Sequence, residues 1–188
     1  MDALTALTSR VSVGRLVAPA PEGEQREALF QAALRAPDHG ALKPWHFLTV
    51  EGEALVALGE LMAECALADN PGLAAEKVEK ARKNPLRAPL MVIAVARISE
   101  SPKVPPVEQV LAVGAAVQNL MLAAHAQGFA AMWRTGELTY CRRFMDRLGL
   151  AANEQIVGFV YIGTAEGEAR PPRAMVSAEY VRAWPDGM

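Results

Sequence analysis

The stretch Gly114–Gly136, GAAVQNLMLAAHAQGFAAMWRTG, constrains the fold more than any other part of this chain. It reads as a helix ended by glycine that runs into a short apolar strand, and the strand finishes at Trp133-Arg134-Thr135-Gly136. A helix that is apolar on nearly every side has to be covered on every side. A chain of 188 residues offers that cover only at its centre or in a subunit interface. The expectation is a central helix shared with a second copy of the chain, with Leu120 at the shared surface and a polar or planar group bound near the helix end.

The bulk numbers bound the alternatives. A length of 188 residues fits one domain covering 1–188, and 52% hydrophobic residues are enough for a core and hint at an obligate interface. The net charge of -2, without blocks of like charge, argues against a nucleic-acid partner. The first residues, MDALTALTSRVSVGR, have no basic region followed by an apolar one, so no secretory signal is expected there. The most apolar window, Val110–Ala126, is interrupted by Gln118, Asn119 and His125, which argues against a membrane span. Cys65 and Cys141 stand in no metal or redox spacing and read as small buried or half-buried thiols. A cytoplasmic location is the expectation.

Along the chain, Asp2–Ser9 reads as a short helix, Arg10–Pro21 as a loop and Glu24–Arg35 as a helix stopped by Pro37. Pro37–Pro44 is a proline-bounded loop, and Trp45–Glu51 alternates like a strand. Helices are expected over Glu53–Leu67 and Ala74–Lys83, separated by the turn Asn70-Pro71-Gly72. Pro89–Arg97 is a continuous apolar run suited to a central strand. The long helix covers Val107–Gln127 with Gly128 just beyond its end, followed by a strand over Phe129–Arg134. A helix over Thr139–Leu148, ended by Gly149, and a buried strand over Gln155–Gly163 complete the core. The tail, about 165–188, carries Tyr180, Val181 and Trp184 and is expected to dock on the partner subunit. This order predicts an α+β layered domain with a mixed or antiparallel sheet of about four to five strands flanked by helices.

The usual catalytic patterns are missing. The sequence has no GxGxxG, no GxxxxGK[ST] and no GxSxG. His39, His46 and His125 lie in no metal-ligand spacing, so no metal is expected. No catalytic side chain is assigned, and chemistry supplied by a bound cofactor fits that absence.

Three segments carry positive signals. Arg10-x-Ser12-x-x-Arg15 places two guanidiniums and a hydroxyl where they can grip a phosphate, although a solvated basic turn reads the same way. Arg35–Trp45, RAPDHGALKPW, is a polar loop pinned between prolines beside a strand, either a ligand rim or an ordinary exposed loop. Trp133–Gly136 ends a strand, where backbone amides can donate to a planar heterocycle or simply make a turn.

Taken together and in order, these segments resemble the nitroreductase family of FMN-dependent oxidoreductases, and in particular its small NAD(P)H-dependent members. The family's Arg-x-Ser grip after the first helix stands here as Arg10-Val11-Ser12, and its Ala-Pro-Ser-x-x-Asn-x-Gln-Pro-Trp loop as Ala36–Trp45. The AQGF and WR-x-G around the strand, IVGF-x-Y-x-GT and the late arginine of IGTAEGEARPPR extend the likeness over nearly the whole chain. Departures are Val11 where many members have a second arginine, Asp38, Ala41 and Lys43 for the loop's Ser, Asn and Gln, and Thr164-Ala165 without the usual proline.

The resemblance implies a homodimer with FMN at the subunit interface, its long helix at the dimer's centre. It implies that Arg10, Val11, Ser12 and Arg173 surround the phosphate, with Arg35 near the ribityl chain or ring. His39 would approach the ring, from the other subunit, while Trp133, Arg134 and Thr135 border the flavin. Ala123, Ala124, His125, Ala126, Gln127 and Gly128 would border the NAD(P)H route, and Arg35 or Lys43 would supply positive charge near flavin N1 and O2. The implied reaction is ping-pong hydride transfer from NAD(P)H through flavin N5 to a nitro compound or quinone-like acceptor. A flavin-binding reservoir or sensor with low turnover is the alternative from another class, and dehalogenation or enoate reduction are alternatives on the same fold.

Overall fold

The computed structural model describes residues 1–184. The sheet is organised on its last strand, β5 (Glu154–Ala165). One edge of β5 pairs with β3 (Leu90–Arg97), which pairs in turn with β2 (Trp45–Glu51). The other edge carries β4 (Ala130–Arg134) and, beyond it, β1 (Leu16–Val17). All these pairings are antiparallel, which narrows the expected mixed or antiparallel sheet to a five-stranded antiparallel one. The added strand is β1, in what reads from sequence as a loop, because a two-residue pairing leaves no periodicity to detect.

Residues Leu90–Ala96 are each at most 1% exposed. Their run is unbroken because β3 has a strand on each side and helices over both faces. Met91, Ile93 and Val95 pack with Phe144, Phe159 and Tyr161 under α3 (Glu53–Asp69), α4 (Ala75–Lys83) and α6 (Arg142–Arg147). Leu90, Val92, Ala94 and Ala96 pack with Leu29, Val113, Val117 and Leu120 under α2 (Gly23–Ala33) and α5 (Pro106–Ala126). The result is a sheet between two helical layers, with α1 (Ala3–Ser9) lying against α5.

The long helix is covered on one side only. Ala112, Val113, Ala116, Val117, Leu120, Met121 and Ala124 are buried, yet Val107 and Leu111 are 61% and 66% exposed. Gly114, Gln118 and Leu122, half-buried, continue the stripe at helical spacing. Leu120, expected at the shared surface, is fully buried in its own chain's core, so the outward stripe is the one headed by Leu111. Helix α5 is long and apolar enough to cross a bilayer, but here it lies across a sheet face.

Two close approaches hold the opposite layer. At Gly59 an added Cβ would sit 2.1 Å from the backbone carbonyl oxygen of Arg82, so α4 docks on α3 only over a residue without a side chain. At the far end of the sheet the carboxylate of Glu154 is 5% exposed. Its Oε1 accepts from Arg97 Nε at 2.9 Å and lies 3.1 Å from His46 Nδ1, and its Oε2 accepts from the amide of Ala151 at 3.0 Å. Burial pushes the Glu154 pKa up, but the Ala151 amide, Arg97 and His46 outweigh it and leave the group below the ordinary glutamate range.

Three local boundaries differ from expectation. Helix α2 stops at Ala33, because the amides of Arg35 and Ala36 turn to the tighter carbonyls of Ala32 and Ala33 ahead of Pro37. The helix expected over Thr139–Leu148 is a 3-10 turn (Glu137–Tyr140) followed by α6, broken at Cys141, whose sulfur accepts from the amide of Phe144 at 3.4 Å. In the tail, Tyr180, Val181 and Trp184 are exposed on this single chain, and residues 185–188 of the expected docking segment lie outside the described residues.

Candidate functional site

The basic segment after α1 is wired between two strands. Ser12 bridges to Ala131 of β4, and the amide of Val13 donates to the Ala131 carbonyl at 3.2 Å. On its other side, Leu16 and Val17 pair with Ala165 and Thr164, and the Glu166 amide donates to the Arg15 carbonyl. The start of the segment is tied to the end of α5, where Ser9 Oγ and His125 Nε2 share a 2.8 Å hydrogen bond.

This wiring encloses a cavity of about 350 Å³. Its lining includes Arg10, Val11, His125 and Gly128, together with Arg170, Pro171 and Pro172 of the tail. Among the described residues, two arginines and no carboxylate residue line it. Arg10 Nη1 is buried and has no hydrogen-bond partner among the described residues, a costly arrangement for a charged donor unless an anion joins it. The donor set therefore fits a phosphate. Arg173, the arginine expected here, is exposed and does not line the cavity, while Arg170, three residues earlier in the same GEARPPR stretch, does. Of the Ala123–Gly128 segment, His125 and Gly128 face this cavity, and Ala124 is buried in the core.

Strand β4 leads from the cavity to Trp133–Gly136. Alternation sends Trp133 to the α5 side and Met132 and Arg134 to the other, as their partners Val160, Tyr161 and Phe159 require. The indole occupies a slot between two glycines. An added Cβ would come 2.0 Å from its Nε1 at Gly158 and 3.6 Å from its ring at Gly114. Trp133 Nε1 donates to the Val157 carbonyl at 3.4 Å, and the ring remains 37% exposed. Arg134 Nε donates to Met132 Sδ at 2.8 Å, and its guanidinium lies against Gly14. Of the backbone donors expected here, Gly136 N is already bonded to Thr139 Oγ1 at 3.0 Å, whereas Thr135 N has no partner among the described residues.

The proline-bounded loop stands elsewhere. Asp38 Oδ2 accepts from the amide of Lys43 at 2.6 Å and closes a tight turn with Gly40, Ala41 and Lys43 at φ 75°, 52° and 50°. Left-handed backbone at two residues with side chains is strain of a kind that clusters at functional sites. His39 Nδ1 pairs with Glu108 Oε2 at 2.6 Å, at the start of α5, and Arg35 is exposed just past α2.

One chain thus brings Arg10, Val11 and Ser12 together with Ala131 and the end of α5, and joins them through β4 to Trp133, Arg134 and Thr135. It leaves His39 at the opposite end of the same helix, for the rise from Glu108 to His125 is about 25 Å. No group of three or more His, Cys, Asp or Glu side chains able to hold a metal occurs among the described residues. Burial pushes the thiols of Cys65 and Cys141 up, helped at Cys141 by its bond to Asp69, so neither is poised as a nucleophile.

Comparison with known proteins gives the same frame. A family model described as "Nitroreductase family" matches residues 7–164. The chain is 41% identical over 169 residues to "Putative NAD(P)H nitroreductase YdjA" of Escherichia coli (strain K12), covering 90% of this chain and 91% of that protein. In fold it is similar to a nitroreductase-like family protein from Bacillus cereus, with a TM-score of 0.83, 22% identity, and coverage of 99% and 97%. It is also similar to a mutant of the FMN and NADPH-dependent nitroreductase NfnB from a sphigopyxis strain, with a TM-score of 0.78, 21% identity, and coverage of 98% and 99%.

Proposed function

The chain belongs to the nitroreductase family, and from that premise we propose that it is a cytoplasmic, homodimeric, FMN-dependent oxidoreductase that passes electrons from NAD(P)H to a nitro compound or quinone-like acceptor. One observation carries the proposal: Arg10, whose buried Nη1 has no partner among the described residues, lines a cavity together with a second arginine and no carboxylate. Such a lining suits a phosphate, and the fold neighbour NfnB is an FMN and NADPH-dependent nitroreductase.

When bound, FMN would supply the redox chemistry, carrying a hydride equivalent from the reduced nicotinamide to the acceptor in ping-pong order. The chain's own residues bind and orient. Arg10 and Arg170 neutralise the phosphate, with Val11 and Ser12 alongside. The amide of Thr135, without a partner among the described residues, would donate to the polar edge of the ring, and Trp133, fixed between Gly114 and Gly158, would wall it. Ala123–Gly128 borders the nucleotide's route, a reading supported by His125 and Gly128 facing the same cavity.

The second copy supplies what one chain keeps apart. Arg35 and His39 reach the ring from the partner subunit across the α5 stripe headed by Leu111, and the exposed Tyr180, Val181 and Trp184 fold onto that partner. Both the uncovered stripe and the separation of His39 from Arg10 support this arrangement.

The test is a visible spectrum of the purified protein before and after anaerobic NADPH or NADH. Flavin bands that bleach within seconds support the oxidoreductase reading. Bands that persist with both donors would replace it with a flavin reservoir, and a colourless protein that takes up no added FMN would overturn it.

A further inference from the structure

On the sheet face opposite Trp133, a second cavity of about 520 Å³ opens beside Thr135 and Gly136. Lys77 and Lys80 stand at its mouth on α4, and Arg87 and Arg134 lie half-buried further in. The one carboxylate on its lining among the described residues is Glu137. The pairing of the cations on α4 is selective. Arg82 is paired with Glu60 and Glu79, and Lys83 with Glu79, but Lys77 and Lys80 make no ion pair among the described residues. Arg87 and Arg134 make none either, as Arg87 donates to Asn84 Oδ1 and Arg134 to Met132 Sδ.

The floor adds an independent observation. Tyr161 is 4% exposed and faces this cavity, and its hydroxyl has no hydrogen-bond partner among the described residues. Burial raises the Tyr161 pKa, against the pull of Arg87 and Arg134, so this hydroxyl keeps its proton and serves as a donor. Beside it lie the apolar Phe159 and Met62. An unpaired cationic rim over an apolar, aromatic floor with one free hydroxyl suits a flat body that carries a negative group.

We propose that this chamber is an acceptor subsite that takes the carboxylate of a planar aromatic or quinonoid electron acceptor, held by Arg87, Arg134, Lys80 and the Tyr161 hydroxyl. The assignment rests on the reading of Thr135 as a neighbour of the flavin ring, since the chamber opens at that residue.

The experiment compares kcat/KM for 4-nitrobenzoate and nitrobenzene at saturating NADPH, in the parent, in Arg87→Gln and in Lys80→Gln. Lys80 is exposed at the mouth, so its variant tests the proposal even where Arg87→Gln folds poorly. The parent should favour 4-nitrobenzoate by tenfold or more. The ratio should fall toward one in both variants and stay put in Lys83→Gln, whose lysine is paired outside the chamber. Calorimetric binding of 4-nitrobenzoate to the oxidised protein should weaken in the same two variants, with no turnover involved. A parent ratio near one, or a ratio unmoved by both variants, overturns the proposal. A changed NADPH-to-NADH preference would assign the cations to the donor's phosphate, and loss of FMN would assign them to the cofactor, and either result also overturns it. A protein whose flavin neither donor reduces fails the functional reading itself, while the calorimetric arm still decides whether the chamber binds a carboxylate.

Discussion

Arg10 concentrates the argument at the scale of single residues. A buried guanidinium nitrogen without a partner is unfavourable in the free chain and becomes favourable once an anion joins it. Replacing Arg10 by Ala should therefore weaken FMN binding by about 1.5–3 kcal/mol, roughly 10- to 100-fold in Kd, as fluorescence titration of the apoprotein would read. Full flavin occupancy in the variant would remove Arg10 from the phosphate. Glu154 makes a different case, in which charge holds the fold rather than the ligand. Its folded-state pKa lies below the unfolded value of about 4.3, so the stability it contributes is complete above that value and drains away as pH falls through the folded pKa. Glu154→Gln should unfold about 1–3 kcal/mol more easily at pH 7, and the gap to the parent should close below about pH 4. A gap of constant size across that range would mean the carboxylate's charge is not what matters.

At the scale of elements, the long patterned segments were legible and the short ones were not. The apolar runs of β3 and β5 could be read because burial on both faces leaves an unbroken hydrophobic signature, and α5 because its outward stripe is apolar as well as its buried side. Gly128 has the expected positive φ of 84°. The two-residue β1 and the break at Cys141 depend on partners distant in sequence, which no local window contains. The same divide runs through the candidate site. The Arg-x-Ser segment and the Trp133 strand end were legible as motifs, whereas Arg170 and the role of Gly158 beneath Trp133 appear only once β4 and β5 are paired. Gly59 is equally silent in sequence, a glycine inside a helix of good formers, and its cause is the Arg82 carbonyl pressed against it. Gly59→Ala should force α4 away from α3 and cost about 1–3 kcal/mol in denaturant unfolding despite alanine's better helix propensity. A variant as stable as the parent would show that α4 relaxes freely.

At the scale of the whole molecule, two leucines one face apart on α5 should behave in opposite ways. Leu120 is fully buried, so Leu120→Asp strands a charge in the chain's own core and should leave little folded protein at all. Leu111 is exposed on the single chain, so Leu111→Glu should keep the fold by circular dichroism, sediment as a monomer and lose its flavin. A yellow, monomeric Leu111→Glu would place the whole cofactor site in one chain.

The distance along α5 between His39 and the Arg10 cavity has a genetic consequence. If each catalytic centre borrows from two subunits, two dead proteins can repair one another. A chain crippled at Arg10 and a chain crippled at His39 would each be inactive alone. In a mixed dimer both faults fall on the same centre and leave the other centre whole. Random pairing of equal amounts makes half the dimers mixed, so about a quarter of all centres would work. Co-expression of the two defective alleles would then restore activity that neither allele encodes.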